Sequence, residues 1–126
     1  MPALGSQLNV TDLRLTTNGS GVGTANADLP IRGLLYAVEW VDGDLADGVD
    51  SVISVQNGPG GAVTLLTLTN ANVDTMYYPR ELEQDNTGGN LATYAMPLIF
   101  GIPRCTIAAG GSVKTGGPLL YWYDMP

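Results

Sequence analysis

The sequence predicts an all-β fold, a single-domain β-sandwich or β-barrel of about seven strands with long Gly-rich loops, and three observations carry that expectation. First, 17 Gly and 8 Pro are spread along the 126 residues instead of gathering in one linker, cutting the chain into runs of about six to ten residues, the length of strands joined by turns. Second, several of these runs alternate apolar and polar residues or are rich in β-branched residues, which suit a pleated surface. Third, helical periodicity is nearly absent, which leaves sheet packed on sheet, or a sheet closed on itself, as the way to bury a core. No internal repeat aligns.

The elements follow in order. Residues 1–29 read as an N-terminal strand and arm: Leu8 to Thr16 alternates, but its apolar phase changes between Val10 and Leu13, as a bulge near Thr11-Asp12 would make it. Asn18-Gly-Ser-Gly-Val-Gly-Thr24 is a loop of small residues. Pro30 to Val41 is the most apolar stretch, with Leu34, Tyr36, Val38 and Trp40 expected on one face and Leu35, Ala37 and Val41 on the other, Glu39 among them. A strand apolar on both faces is covered on both sides, by a second layer or by another subunit. Val49 to Gln56 and Ala62 to Asn70 form a hairpin across Asn57-Gly-Pro-Gly-Gly61, whose residues tolerate positive φ. Pro79 to Gln84, led by proline with glutamates early, predicts one helical turn stopped by Asn86-Thr-Gly-Gly89. Leu91 to Phe100, Ile102 to Ala109 and Pro118 to Asp124 complete the strands, with Pro97 and Pro103 marking bends or edges.

Composition narrows the chemistry. Five Lys and Arg against twelve Asp and Glu give a net charge of −7, a sign that repels phosphate backbones and anionic headgroups, so neither nucleic acid nor membrane is an expected partner. Charged residues are only 13% and hydrophobic ones 44%, which leaves a Gly, Thr, Asn and Ser surface with apolar area to spare for a contact. The chain contains no His, which removes the commonest general base, the His-dependent nucleophile systems and most zinc sites. Cys105, the single cysteine, has no partner for an internal disulfide and no neighbouring His or basic pair to lower its pKa, so it reads as an inert core thiol. The first residues, Met1-Pro-Ala-Leu-Gly-Ser6, carry neither a basic region nor an apolar run, and the expectation is synthesis in a cytoplasm with the sequons at Asn9 and Asn18 unused.

Three candidate sites have a structural reading beside the functional one. Asp42-Gly-Asp-Leu-Ala-Asp-Gly-Val-Asp50 invites calcium, but its fifth, sixth and twelfth positions break the EF-hand register; aspartates accepting backbone N–H groups in a turn account for it, and no metal is expected. Glu39 with a loop aspartate would be the only carboxylate pair for glycoside hydrolysis, and a lone Glu among Leu, Tyr and Trp is better read as pairing with Arg32 or Arg104. The aromatics Tyr77-Tyr78 and Tyr121-Trp122-Tyr123 have only Arg80 near them in sequence, too little charge for a nucleic-acid platform, and suit a core or a subunit contact. No glycine run has P-loop spacing. The chain is therefore expected to be no enzyme, with no catalytic or cofactor-binding residues, and its interface is expected at Leu35, Ala37, Glu39, Val41, Tyr77, Tyr78, Arg80 and Trp122.

An apolar strand ending in Glu39-Trp40, then Gly43-Asp-Leu45, Gly48-Val-Asp50, Thr64-Leu-Leu-Thr-Leu-Thr-Asn70, Tyr77-Tyr-Pro-Arg80, and Gly110-Gly111 with Lys114-Thr-Gly-Gly117 before an aromatic strand resembles the small virion structural proteins of tailed bacteriophages. The likeness spans roughly residues 30 to 123. Within that group it is most similar to capsid decoration, or cement, proteins, and the resemblance implies a homotrimer that binds the major capsid protein on the capsid exterior after synthesis in the host cytoplasm. It brings no catalytic residues and no cofactors. The alternatives are a head-fibre or tail component, and a lectin-like carbohydrate-binding module using Tyr77, Tyr78 and the acidic loop.

Overall fold

The computed structural model describes residues 7–58 and 61–125, and among them there are eleven strands and no helix. The fold class is all-β in a sandwich-like arrangement. In chain order the strands are β1 (Leu8–Asp12), β2 (Leu15–Thr16), β3 (Gly23–Asn26), β4 (Ile31–Val41), β5 (Asp50–Gly58), β6 (Gly61–Leu68), β7 (Thr75–Tyr77), β8 (Glu81–Gln84), β9 (Asn90–Ala95), β10 (Leu98–Ala108) and β11 (Thr115–Asp124).

One sheet runs β1-β11-β4, with the far edge of β4 taken by β10 along Ile31–Leu34 and by β7 along Val38–Trp40. The other runs β3-β10-β5-β6. Strand β10 belongs to both, and its partner on one side changes from β4 at Leu98–Gly101 to β3 at Arg104–Ile107. Pro103 sits at that changeover, fully buried, with its carbonyl accepting from the Ala27 amide at 2.9 Å. The proline is thus interior to the longest run of pairing instead of marking a sheet edge, tolerated because the missing N–H falls where one neighbour leaves and the next begins. Gly101 makes the corner: at φ +129°, a side chain there would stand 2.3 Å from the Gln56 carbonyl oxygen.

The core forms between the sheets from Leu13, Leu35, Val38, Trp40, Val49, Ile53, Ile99, Ile107 and Leu120, all nearly inaccessible. Trp40 is the largest of these, and its indole N–H is satisfied by the Ala71 carbonyl at 2.9 Å, as a buried Trp requires.

Several expectations are met in register. The Leu8 to Thr16 run breaks where its phase changed: Val10 is exposed, Leu13 is buried, and between them Asp12 clasps Arg14 through both carboxylate oxygens and the Arg14 amide, turning the chain. The β5–β6 hairpin pairs Ser51–Gly58 with Gly61–Leu68; Asn57 and Gly61 take positive φ, while Pro59 and Gly60 of the expected turn lie outside the described residues.

Other expectations are corrected. The strands number eleven because short pairings add to the seven expected runs, while Leu98–Ala108 is one continuous strand where two were expected. Residues 18–29 are no free arm: Asn18 accepts from the Ser20 and Val22 amides to close the loop, and β3 pairs with β10; residues 1–6 lie outside the described residues. The helical turn at Pro79–Gln84 is instead strand β8, paired with β9. A single helical turn carries the nucleation cost with almost no propagation to offset it, whereas Asp85 closes the β8–β9 turn by accepting from Thr87 N, Thr87 Oγ1 and Gly89 N.

Candidate functional site

Strand β4 does not alternate cleanly. Ile31, Gly33, Leu35 and Ala37 face inward, then Val38 and Trp40 do. The phase slips because Tyr121 of β11 is paired with Ala37 while the next residue, Trp122, is paired with Leu35, leaving Tyr36 as the extra residue of a β-bulge. Leu35 and Ala37, expected at an outer contact, are therefore core residues at 0% and 1% exposure. The outward set along β4 is Leu34, Tyr36, Glu39 and Val41.

The same correction sorts the other expected interface residues. Tyr77 packs against the core, and Trp122 does so in part while its indole donates to Thr11 Oγ1 at 2.9 Å. Tyr78 and Arg80 are exposed. Tyr36 meets Tyr78 and Tyr123 edge to face at centroid distances of 5.7 and 5.8 Å. Arg80 closes this group: its guanidinium donates to the Tyr36 and Pro79 carbonyls and lies 5.9 Å from the Tyr36 ring centre. Tyr36, Leu34 and Met76 were not named among the contact residues, and Tyr123 only within an aromatic segment suited to a core or a subunit contact; the alternation of Tyr121 and Tyr123 against Trp122 was legible, but the bulge that turns Tyr36 outward was not.

Neighbours in register extend the surface. Leu8 lies opposite Tyr123, Val10 opposite Tyr121 and Met76 opposite Glu39, and residues directly opposite in antiparallel strands share a face. Leu8, Val10, Met76 and Tyr78 are each more than two-fifths exposed. In the middle, Glu39 accepts from the Tyr121 hydroxyl at 2.6 Å instead of pairing with Arg32 or Arg104; Arg32 lies over Phe100 and Arg104 donates to Asn26. That hydrogen bond to a carboxylate, with partial desolvation, raises the Tyr121 phenol above its ordinary value. The result is an aromatic and aliphatic face whose carboxylates are already engaged, Glu39 by Tyr121 and Asp12, opposite Leu119 on the same face, by Arg14.

The acidic loop is tied to the segments beside it by side chain to backbone hydrogen bonds. Asp44 accepts from Thr115 N at 2.6 Å, Asp50 from Asn70 N at 3.0 Å, Asn72 from Gly48 N at 2.7 Å, and Asp74 from Asp42 N at 2.8 Å. These bonds fasten the loop to the start of β11 and to the β6–β7 connection, and no group of three or more metal-ligating side chains forms among the described residues. Asp42 is pushed above the ordinary carboxylate range by desolvation and by the charges of Asp74 and Asp47. A folded pKa above the unfolded one means the ionised form is disfavoured on folding, so the cost is absent below the unfolded value and grows as pH rises through the folded one. Asp42→Asn should accordingly raise the thermal midpoint at neutral pH by about 1–2 °C, with the gain vanishing in acid. Calcium against chelator should move the wild-type midpoint by no more than about 2 °C; a large calcium shift abolished by Asp42→Asn would make the loop a cation site.

Cys105 is buried beside Ser51, with Oγ and Sγ 3.3 Å apart, and burial pushes its thiol up to about 11, which keeps it protonated and unreactive at neutral pH. Of two clefts beside these residues, one of about 560 Å³ holds Asp12, clasped by Arg14, and one of about 460 Å³ holds Asp50, engaged by Asn70. Neither brings a nucleophile to a base.

No family model, no curated protein and no solved structure matches this chain.

Proposed function

We propose that this chain is a bacteriophage capsid decoration protein, a small β domain that attaches to the major capsid protein on the outside of the assembled shell and stiffens it, working as a homotrimer and not as an enzyme. The observation that supports the reading best is the outer face of the β1-β11-β4-β7 sheet, where Tyr36, Tyr78, Tyr123, Met76, Val10 and Leu8 lie together around a single Glu39–Tyr121 hydrogen bond. Tyr and Met are enriched at protein contacts and charged side chains depleted from their centres. Burying such a face gains about 25 cal/mol per Å², so a contact of ordinary size, about 800 Å² per partner, has ample driving force. The net charge of −7 suits the exterior of a shell better than the side facing packaged DNA.

The test compares particles that carry the protein with particles lacking it, under heating or osmotic shock. The expected result is later DNA release when the protein is present, restored by adding it back and lost with Tyr36→Asp/Tyr78→Asp. Equal release in both rejects the mechanical role. Electron micrographs of labelled particles with density on the tail or on head fibres would reassign it within the virion, and glycan binding abolished by chelator would replace the reading with a lectin-like one.

A further inference from the structure

Strands β8 and β9 pair with each other and, among the described residues, meet no other strand. Every residue from Glu81 to Ala95 is exposed. A two-stranded hairpin standing alone in water is marginal at best, yet this one is carefully specified: Asp85 closes its turn, Gly88 takes φ +85°, and Gln84 donates to Asn90. Its apolar residues have nothing to pack on. Leu82 and Tyr94 lie directly opposite, hence on one face, at 40% and 65% exposure.

A matching vacancy lies on the body. The apolar side chains of Val55, Val63, Leu65, Leu98 and Phe100 line a mostly apolar groove of about 360 Å³ between the β5–β6 hairpin and the start of β10. Val63 and Leu98 are 47% and 45% exposed. The chain's own arm does not fill the groove, although the arm ends three residues before Leu98, since neither arm strand meets β5, β6 or β10.

We propose that the β8–β9 arm docks in this groove on a second copy of the same chain. Charge favours that occupant: Glu81, Glu83 and Asp85 line the arm with no cation paired to them, and Arg32 lies at the groove with its guanidinium 5.7 Å from the Phe100 ring centre and no carboxylate partner, the Asp12–Arg14 pair being the one salt bridge among the described residues. Extent favours it as well. The 15 residues from Glu81 to Ala95 supply at least half of the roughly 20–30 residues a side used by a stable interface. An arm on one patch and a groove on another make a heterologous contact, which closes into a ring when the rotation allows. The inference goes beyond the capsid reading and does not need it, because it concerns the free protein.

Light scattering of the purified chain tests it. Wild type should be a closed oligomer at micromolar concentration; an arm-less variant with residues 81–95 replaced by Gly-Gly, and separately Val63→Asp in the groove, should each be monomeric with unchanged far-ultraviolet circular dichroism. Mixing the two should form a one-to-one heterodimer, since the arm-less chain keeps its groove and the Val63→Asp chain keeps its arm. If the arm-less chain fails to fold, Leu82→Lys/Tyr94→Lys, both exposed positions, replaces it with the same expected result. A monomeric wild type, an arm-less chain that still oligomerises, or a mixture that stays monomeric overturns the assignment. A monomeric wild type that needs its arm to bind particles gives the arm to the shell instead, and leaves the attachment to the capsid standing while removing the homotrimer in free solution.

Discussion

Leu35→Asp should leave no folded domain. Leu35 is inaccessible and packs in the cluster with Trp40, Ile99 and Leu120. Removing it forfeits about 2–5 kcal/mol of packing, and leaving an uncompensated carboxylate in its place costs several more. Together these rival the roughly 5–15 kcal/mol that holds a typical domain folded. The check is the amide proton–nitrogen spectrum of the variant beside wild type: collapse of dispersion is expected, whereas a well-dispersed but dissociated chain would return Leu35 to a subunit contact. The adjacent Tyr36→Asp, at 37% exposure, should keep the fold.

Trp40→Ala should be nearly as damaging, by a different route. The side chain is fully buried, so its truncation costs about 3–5 kcal/mol. It also removes the donor to the Ala71 carbonyl, and an acceptor left buried without a partner adds about 1–3 kcal/mol. Ala71 is tied in turn to Val49 by its own amide, so the connection from β6 to β7 loses its anchor. Urea unfolding should show a strongly lowered midpoint with an unchanged slope; a loss under about 1 kcal/mol would mean the indole is not a packed core group. Trp40→Phe, which keeps most of the volume and loses the N–H, separates the two contributions.

These variants bear on the one stretch where sequence reasoning and structure part company. In β1 the phase change between Val10 and Leu13 was visible because a polar pair, Thr11-Asp12, interrupts the pattern. In β4 nothing interrupts it: from Leu34 to Val41 the only charged residue is Glu39, and either face assignment reads equally well. The extra residue at Tyr36 is set by where Tyr121 and Trp122 pair, more than eighty positions away. The inward phase reverses between Ala37 and Val38, so the expected faces hold from Val38 on, with Glu39 and Val41 outward, and are inverted at Leu35 and Ala37. The Pro79–Gln84 segment misled for a local reason: proline and early glutamates do favour a helix start, and the competing signal, Asp85 with Gly88 and Gly89, is itself a turn signature that becomes decisive only with a partner strand.

What the sequence determined by itself is the class of structure and the chemistry it can support. Glycine and proline spacing with β-branched alternation made strands, the absence of His removed the His-dependent nucleophile systems and the imidazole ligands of zinc, and the spacing of Asp42 to Asp50 suited turns better than an EF-hand. Only the tertiary structure decided which faces look outward and which elements stand alone. A strand's exposure follows from its register, and register is settled by partners distant in sequence, so a single-residue slip at Tyr36 moves Leu35 and Ala37 into the core and gathers Tyr36, Tyr78 and Tyr123 on the surface. The isolation of the β8–β9 arm is likewise a fact about what does not pack against it, which no local pattern of residues encodes.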